Sequence, residues 1–370
     1  MACTGTPRSA ARAKSGRTAI SGRIRLAVEV IAPNFKKRLS GVTSTIVQLV
    51  PVQAKSIGIA TLGPGLPDDL PKMRWPQVFS LWRRPSSGRP RIWHARRNVE
   101  MLAGVLLRDV LQAPLKLLFT SAAQRDHKPF TKWLIRRMDA VIATSRRSGS
   151  FLEVPHSVVM HGVDLQRFHQ ARTSSETFAA TGLPGLLAVG CFGRVRRQKG
   201  TDLFVDALIE LLPDFPDWTA VIAGRVTAEH ATFARELQQR VAEAGLDERI
   251  RFLGEVDDIA AWYRRVSLYV APSRNEGFGL TPLEAMASGA AVVASDAGAY
   301  AEMIVPGETG NVVPAGDAVA LRAAIRSYLA DPDLARRHGT AGLDRVRSHF
   351  RLGAEAGAIA EIYQTLWGRG

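Results

Sequence analysis

Cysteine is nearly absent. Cys3 lies near the start and Cys191 inside an apolar run that reads as a core strand, so no disulfide is expected and a reducing, cytoplasmic setting fits. Long hydrophobic runs are missing too: nothing approaches the roughly 18 apolar residues of a helical membrane span, so an integral membrane protein is not expected. Neither half contains an internal repeat, and there is no recognisable nucleic-acid module and no acidic pair positioned as a D-x-D metal site. Acid is scarce in one half only. Residues 1–170 carry 28 Lys and Arg against 9 Asp and Glu, leaving 21 against 25 for residues 171–370. This asymmetry implies an anionic partner for the first half: an acidic membrane surface, an acidic glycolipid or, ranked last because few aromatics interleave the cations, nucleic acid.

The 370 residues and 46% hydrophobic content suit about two domains. Each half alternates apolar runs with amphipathic stretches, which predicts α/β architecture with doubly wound parallel sheets. Residues 1–22, basic and free of acid, read as a disordered tail; 23–169 read as the first domain and the Ser/Thr/Ala-rich 170–184 as a linker. Residues 185–350 form the second domain, and 351–370 a last helix. In the first domain, strands are expected at Arg25–Ile31, Ser56–Ala60, Val78–Trp82 and Leu115–Phe119. The Pro/Gly-rich loop 63–76, with Lys72, Arg74 and Trp75, is either an exposed contact for acceptor or membrane or only a connection.

The most informative stretch is 271–289. A strand Ser267–Ala271 and a helix Thr281–Ser288 flank the turn Asn275–Leu280, which falls at the carboxyl edge of a parallel sheet, where such sheets bind ligands. Gly277 and Gly279 let backbone N–H groups approach an anion, and Glu276 and Glu284 bracket the turn. Carboxylates there suit the vicinal hydroxyls of a sugar; alternatively, Glu276 is merely solvated and Glu284 favours the helix dipole. A second edge turn, Gly193–Gly200, carries Arg194 and Lys199, placed to clamp a diphosphate. A third follows the strand that ends in the run Arg91–Asn98, where His94, Arg96 and Arg97 are expected to face a cleft; the two arginines suit a carboxylate or phosphate.

Together, E-x7-E from Glu276 to Glu284 and G-R-x4-K-G from Gly193 resemble the retaining glycosyltransferases of family 4, which have the GT-B fold. The resemblance implies two Rossmann-like domains facing a cleft, with the C-terminal helix crossing back to the first. It implies that Glu284 holds the donor ribose, and that Glu276 with the backbone of Gly277, Phe278, Gly279 and Leu280 holds the sugar. Arg194 and Lys199 would stabilise the departing diphosphate. Gly41 would face the donor phosphates, unless it serves only helix–strand packing, and Gly224 and Val256 would lie near the base. Many members have a histidine in the turn after Leu115–Phe119, where this chain has Ala122; a catalytic histidine is then expected at His94 or His127. Arg96, Arg97, Arg125 and His127 are the expected acceptor contacts. His161-Gly-Val-Asp164 resembles the family's N-G-V-D, with His161 in place of Asn and a structural role expected.

Within the family, the runs Ile92–Met101, Phe119–Gln124 and Thr131–Thr144 look like the lipopolysaccharide-core mannosyltransferases of rhizobia and relatives. That implies GDP-mannose as donor, the anionic Kdo region of lipid A as acceptor, no metal cofactor, and a peripheral position on the cytoplasmic face of the inner membrane. A UDP-sugar transferase acting on another envelope acceptor and a non-enzymatic basic binding protein are the alternatives.

Overall fold

Short runs of β-branched and other apolar residues become strands buried on both faces. In the computed structural model, which describes residues 27–37 and 41–368, the first sheet comprises β1 (Val30–Pro33), β2 (Ile59–Leu62), β3 (Arg91–Ala95), β4 (Leu115–Ser121), β5 (Ala140–Ala143) and β6 (Ser157–Val158). Their order is β2-β1-β3-β4-β5-β6 and every pairing is parallel. The basic tail 1–22, Arg25 and Ser40 lie outside the described residues.

Parallel strands need crossover connections, and helices supply them on both faces. Successive strand residues point to opposite faces, so Ile92 packs with α1 (Gly41–Gln53), while Trp93 packs with α2 (Asn98–Val105) and α3 (Pro129–Arg136). The short α4 (Arg146–Gly149) follows β5.

The second sheet comprises β7 (Leu187–Phe192), β8 (Trp218–Ala223), β9 (Ile250–Gly254), β10 (Leu268–Ala271), β11 (Ala291–Ser295) and β12 (Gly310–Val313), in the order β12-β11-β10-β7-β8-β9, again all parallel. One face is covered by α5 (Thr201–Leu211), α6 (Ala231–Glu243) and α10 (Ala318–Ala330) through Phe204, Leu237 and Ile325. The other is covered by α7 (Ile259–Arg265), α8 (Thr281–Ala287), α9 (Tyr300–Met303) and α11 (Pro332–His349) through Tyr263, Met286, Met303 and Val346. Finally, α12 (Leu352–Gly368) returns to the first domain, where Tyr363 and Leu366 enter its core and Trp367 Nε1–H donates to Pro90 O at 2.9 Å. This is the doubly wound, two-domain architecture with a returning C-terminal helix that the sequence implies.

Two local expectations are corrected, and one helix is not anticipated from the sequence. Among the described residues the first strand is Val30–Pro33, so Ala27 to Glu29 of the expected Arg25–Ile31 are not strand and Pro33 is, while Arg25 itself lies outside the described residues. Val78–Trp82 is not a strand but part of a 3-10 segment, Trp75–Trp82, opened by Pro76, which cannot donate to a ladder. Arg91 fastens this segment by donating to Ser80 O at 2.9 Å and to Arg83 O. Helix α11 gives little apolar signal because Gly339 and Gly342 lie on its buried face: a Cβ on Gly339 would come within 2.2 Å of Gly289 O.

Candidate active site

Strand order reverses between β1 and β3 in the first sheet and between β7 and β10 in the second. Open α/β sheets bind ligands outside the carboxyl ends of strands at such points. The segments leaving these four strands bring Gly41, Arg96, Lys199 and Glu276 to one cavity of about 520 Å³ between the domains.

On the second-domain side, two turns are locked together. Arg274 pairs with both oxygens of Asp202 at 2.7 and 2.9 Å, and its backbone N–H donates to Gln198 O at 2.9 Å. Gly200, at φ +71°, lies so close to the neighbouring turn that a Cβ would stand 1.9 Å from Pro272 O. Held this way, Lys199 Nζ meets Glu276 Oε2 in an ion pair whose side chains are 20% and 19% exposed. Glu276 Oε1 accepts the Gly277 N–H at 3.2 Å. Gly279, at φ +84°, passes the Tyr300 ring at a position where a Cβ would lie 2.4 Å from it. Glu284, in the first turn of α8, is half-buried and lines the same cavity. Burial raises its carboxyl above the ordinary value, against the pull of the Tyr263 hydroxyl, Arg167 and Lys199. Nearby, burial pushes the Cys191 thiol up to about 12, which leaves it unreactive.

The first-domain side presents Gly41, Thr45 and Gln48 of α1 together with Arg96, Thr120, Thr144 and His161. Arg96 is 9% exposed, and its guanidinium, lowered by burial, has no ion pair among the described residues. Among the described residues its guanidinium donates one hydrogen bond, to His94 O at 3.3 Å, and it lines the cavity with N–H donors to spare. His161 Nδ1–H donates to Glu355 Oε1 at 2.7 Å, and the ring meets Phe278 edge-on with centroids 4.7 Å apart. At the rim, Glu302 of α9 accepts the backbone N–H groups of Arg146 and Arg147 at 2.8 and 2.9 Å, and Arg147 pairs with Asp296 at 2.7 Å. These bonds tie the two domains beside the cleft.

The profile described as Glycosyl transferases group 1 matches residues 187–331. The chain is 67% identical over 342 residues to the lipopolysaccharide core biosynthesis mannosyltransferase LpcC of Rhizobium leguminosarum bv. viciae, covering 92% of this chain and 97% of that one. The chain belongs to the group 1 glycosyl transferases. A second relative, the lipopolysaccharide core biosynthesis mannosyltransferase LpsB of Rhizobium meliloti (strain 1021), is 54% identical over 345 residues, or 92% of this chain and 98% of LpsB. Among solved structures, Anabaena Alr3699/HepE in complex with UDP superposes with a TM-score of 0.78 at 19% identity, covering 91% of this chain and 100% of that one. Sucrose-phosphate synthase from Thermosynechococcus elongatus gives 0.76 at 22% identity, covering 92% and 99%. These likenesses establish the GT-B fold, and the close relatives establish a hexosyltransferase.

In this glycosyltransferase the cavity gathers most of the expected donor residues: Gly41, Lys199, Glu276, Gly277, Phe278, Gly279, Leu280 and Glu284. A Cβ on Gly41 would meet no atom of the described residues within 4 Å, so packing against them does not require the glycine. Arg194 is exposed and shares a small recess with Lys199, Ser273 and Tyr300. Gly224 and Val256 lie outside the cavity lining. Gly224 answers a packing need, since a Cβ would fall 1.8 Å from Gly193 O, and Val256 packs against the second core.

Two expectations for the first domain are corrected by geometry. His94 does not face the cleft: it is wholly buried, with Nδ1 2.7 Å from the Tyr363 hydroxyl and Nε2 2.7 Å from Thr120 Oγ1. Burial, with Arg96 beside it, lowers its pKa well below the ordinary value, so it is a neutral structural residue. Arg97 turns inward, donating to Asn34 Oδ1 at 2.8 Å, Glu100 Oε1 at 2.7 Å and Thr43 Oγ1 at 2.8 Å, and it does not line the cavity. Arg125 is exposed and His127 half-buried on the turn after β4, both outside the cavity lining. Conversely, Arg167 and the His161–Glu355 pair are cleft features the sequence did not single out for chemistry. The one signal for His161 was its departure from the Asn of the family motif.

Proposed function

We propose that this glycosyltransferase moves mannose from GDP-mannose to the Kdo-bearing inner core of lipid A with retention of configuration, working peripherally at the cytoplasmic face of the inner membrane. The observation that carries the chemistry is the Lys199–Glu276 ion pair on the cavity wall, one residue from the Gly277 to Gly279 backbone. Mannose and the lipopolysaccharide core are supported by the names of the two close relatives. GDP and Kdo come from the family resemblance, which the basic first domain and the buried, unpaired Arg96 suit, since Kdo carboxylates and lipid A phosphates are anions.

In this reading the bond between the anomeric carbon and the diphosphate oxygen breaks through an oxocarbenium-like state, and negative charge collects on the diphosphate. Lys199 has three N–H donors, of which Glu276 engages one, so it can also bind the leaving group. Arg194 and the backbone N–H groups of Gly277 to Gly279 complete the stabilisation, which is the largest catalytic contribution expected. Glu276 and Glu284 accept sugar and ribose hydroxyls. The acceptor hydroxyl attacks the same face and passes its proton to a departing phosphate oxygen. The two cations serve the charge, and no divalent ion is required.

The test is a donor screen with purified protein and a Kdo-containing acceptor, read by product mass. A product one hexose heavier with GDP-mannose supports the reading. Turnover with UDP-glucose or UDP-galactose instead overturns the donor assignment.

A further inference from the structure

The helical layer over one face of the first sheet has an apolar outer surface. Phe79 and Trp82 of the 3-10 segment, Val110 and Leu111 at the end of the widened turn that continues α2, and Phe130 and Trp133 of α3 are between 39% and 79% exposed. They belong to linked segments. The Phe79 and Trp82 rings are 6.5 Å apart, and Trp82 Nε1–H donates to Leu111 O at 2.6 Å. Phe130 and Trp133 stack at 5.9 Å; Arg137 lies 5.3 Å over Trp133 and reaches Asp109 of the widened turn at 3.5 Å. The inner sides of the same segments pack on Trp93 and Leu117 through Leu81, Met101 and Leu134, so these exposed groups are on the side away from the sheet. Exposed large apolar residues of the second domain, Leu186, Val226 and Val319, include no aromatic.

Apolar surface of this extent on a soluble fold marks a contact site. Its charge selects the partner. Residues 74–137 carry 14 Lys and Arg against 3 Asp and Glu; setting aside the buried Arg91, Arg96 and Glu100 and the inward-turned Arg97 leaves 11 against 2, and Arg74, Arg83 and Lys128 are exposed with no ion pair among the described residues. Two copies meeting on this face would bring like charges together, whereas a bilayer with anionic headgroups meets both the cations and the rings. Aromatic side chains with a polar edge, such as the two tryptophans, suit the headgroup level.

We infer that this face docks the enzyme on an anionic lipid bilayer. Phe130 follows the turn at the carboxyl end of β4, so one end of the face approaches the cleft rim. If the proposed acceptor is correct, a lipid-anchored sugar can then reach Arg96 while its acyl chains stay in the membrane. The docking itself does not depend on which sugar is transferred.

Co-sedimentation of the full chain with phosphatidylcholine vesicles, with and without phosphatidylglycerol, tests this, using a Phe79→Ser, Phe130→Ser double variant. Wild type is expected to bind the anionic vesicles in a salt-sensitive manner and the neutral ones weakly. The variant should bind about tenfold or more weakly, with an unchanged melt and unchanged transfer to an acyl-free acceptor. Absence of wild-type binding, undiminished binding by the variant, or a wild-type dimer that the variant abolishes would each overturn it. Vesicle binding without any mannose transfer leaves the docking intact and refutes the sugar assignment alone.

Discussion

His161 and Glu355, 194 positions apart, are joined where the chain leaves and re-enters the first domain: the histidine Nδ1–H donates to Glu355 Oε1 at 2.7 Å, and Glu355 Oε2 accepts the Gly162 N–H at 2.8 Å. One carboxylate thus aligns both the ring that abuts Phe278 and the backbone that leads out of the first domain. Glutamine has one acceptor oxygen where two donors must be met. Glu355→Gln should therefore cost about 1–3 kcal/mol of stability and lower kcat/KM, seen in urea melts beside steady-state rates. An unchanged melting midpoint would remove the residue from this role.

Lys199 and Arg194 should not be equivalent. Lys199 is largely buried on the cavity wall, whereas Arg194 is exposed beside it. Lys199→Ala is expected to raise the barrier by about 2–4 kcal/mol, and Arg194→Ala by less, in single-turnover transfer. Near-wild-type rates in both would refute the diphosphate clamp. Chelation with EDTA should leave the rate unchanged, and a collapse that added Mg²⁺ restores would refute transfer without metal.

Glu284 supplies a signed pH test. Its folded-state pKa is raised above the ordinary 4.5 by burial, so ionisation disfavours the folded state, and stability falls as pH rises from that value through the raised one. Glu284→Gln should raise the melting temperature near neutral pH, with the gain vanishing in acid, while donor affinity falls roughly tenfold or more. Loss of stability at neutral pH, or unaltered donor binding, would contradict this.

His94 behaves in the opposite sense. Its folded-state pKa is lowered well below the ordinary 6.5, so the stability due to its neutral form is present above that value and lost as pH falls below it. His94→Ala would strand the Tyr363 hydroxyl and Thr120, at about 2–4 kcal/mol. The pH profile of kcat/KM for the folded variant should keep both limbs. Loss of one limb would restore a catalytic histidine.

What was legible in the sequence follows from locality. Strand, turn and helix adjoin at Lys199, Glu276 and Glu284, so apolar runs with glycine punctuation place them at a sheet edge without further information. His94 depends on a partner 269 positions away, and nothing near β3 announces Tyr363. The 3-10 segment misreads as a strand because Val78–Trp82 is short and apolar, which suits either state; Pro76 was the discriminating residue. In α11 glycines occupy buried positions that a periodic pattern assigns to larger apolar side chains.

The most direct measurement is single-turnover transfer by Glu276→Ala, with a thermal melt of the same sample. Its side chain is partly exposed and carries the Lys199 pair, so the fold should survive while donor alignment is lost. A rate lower by about a hundredfold or more with a near-normal melt is predicted. A wild-type rate would mean that the cavity holding Lys199, Glu276 and Glu284 is not where the sugar is transferred.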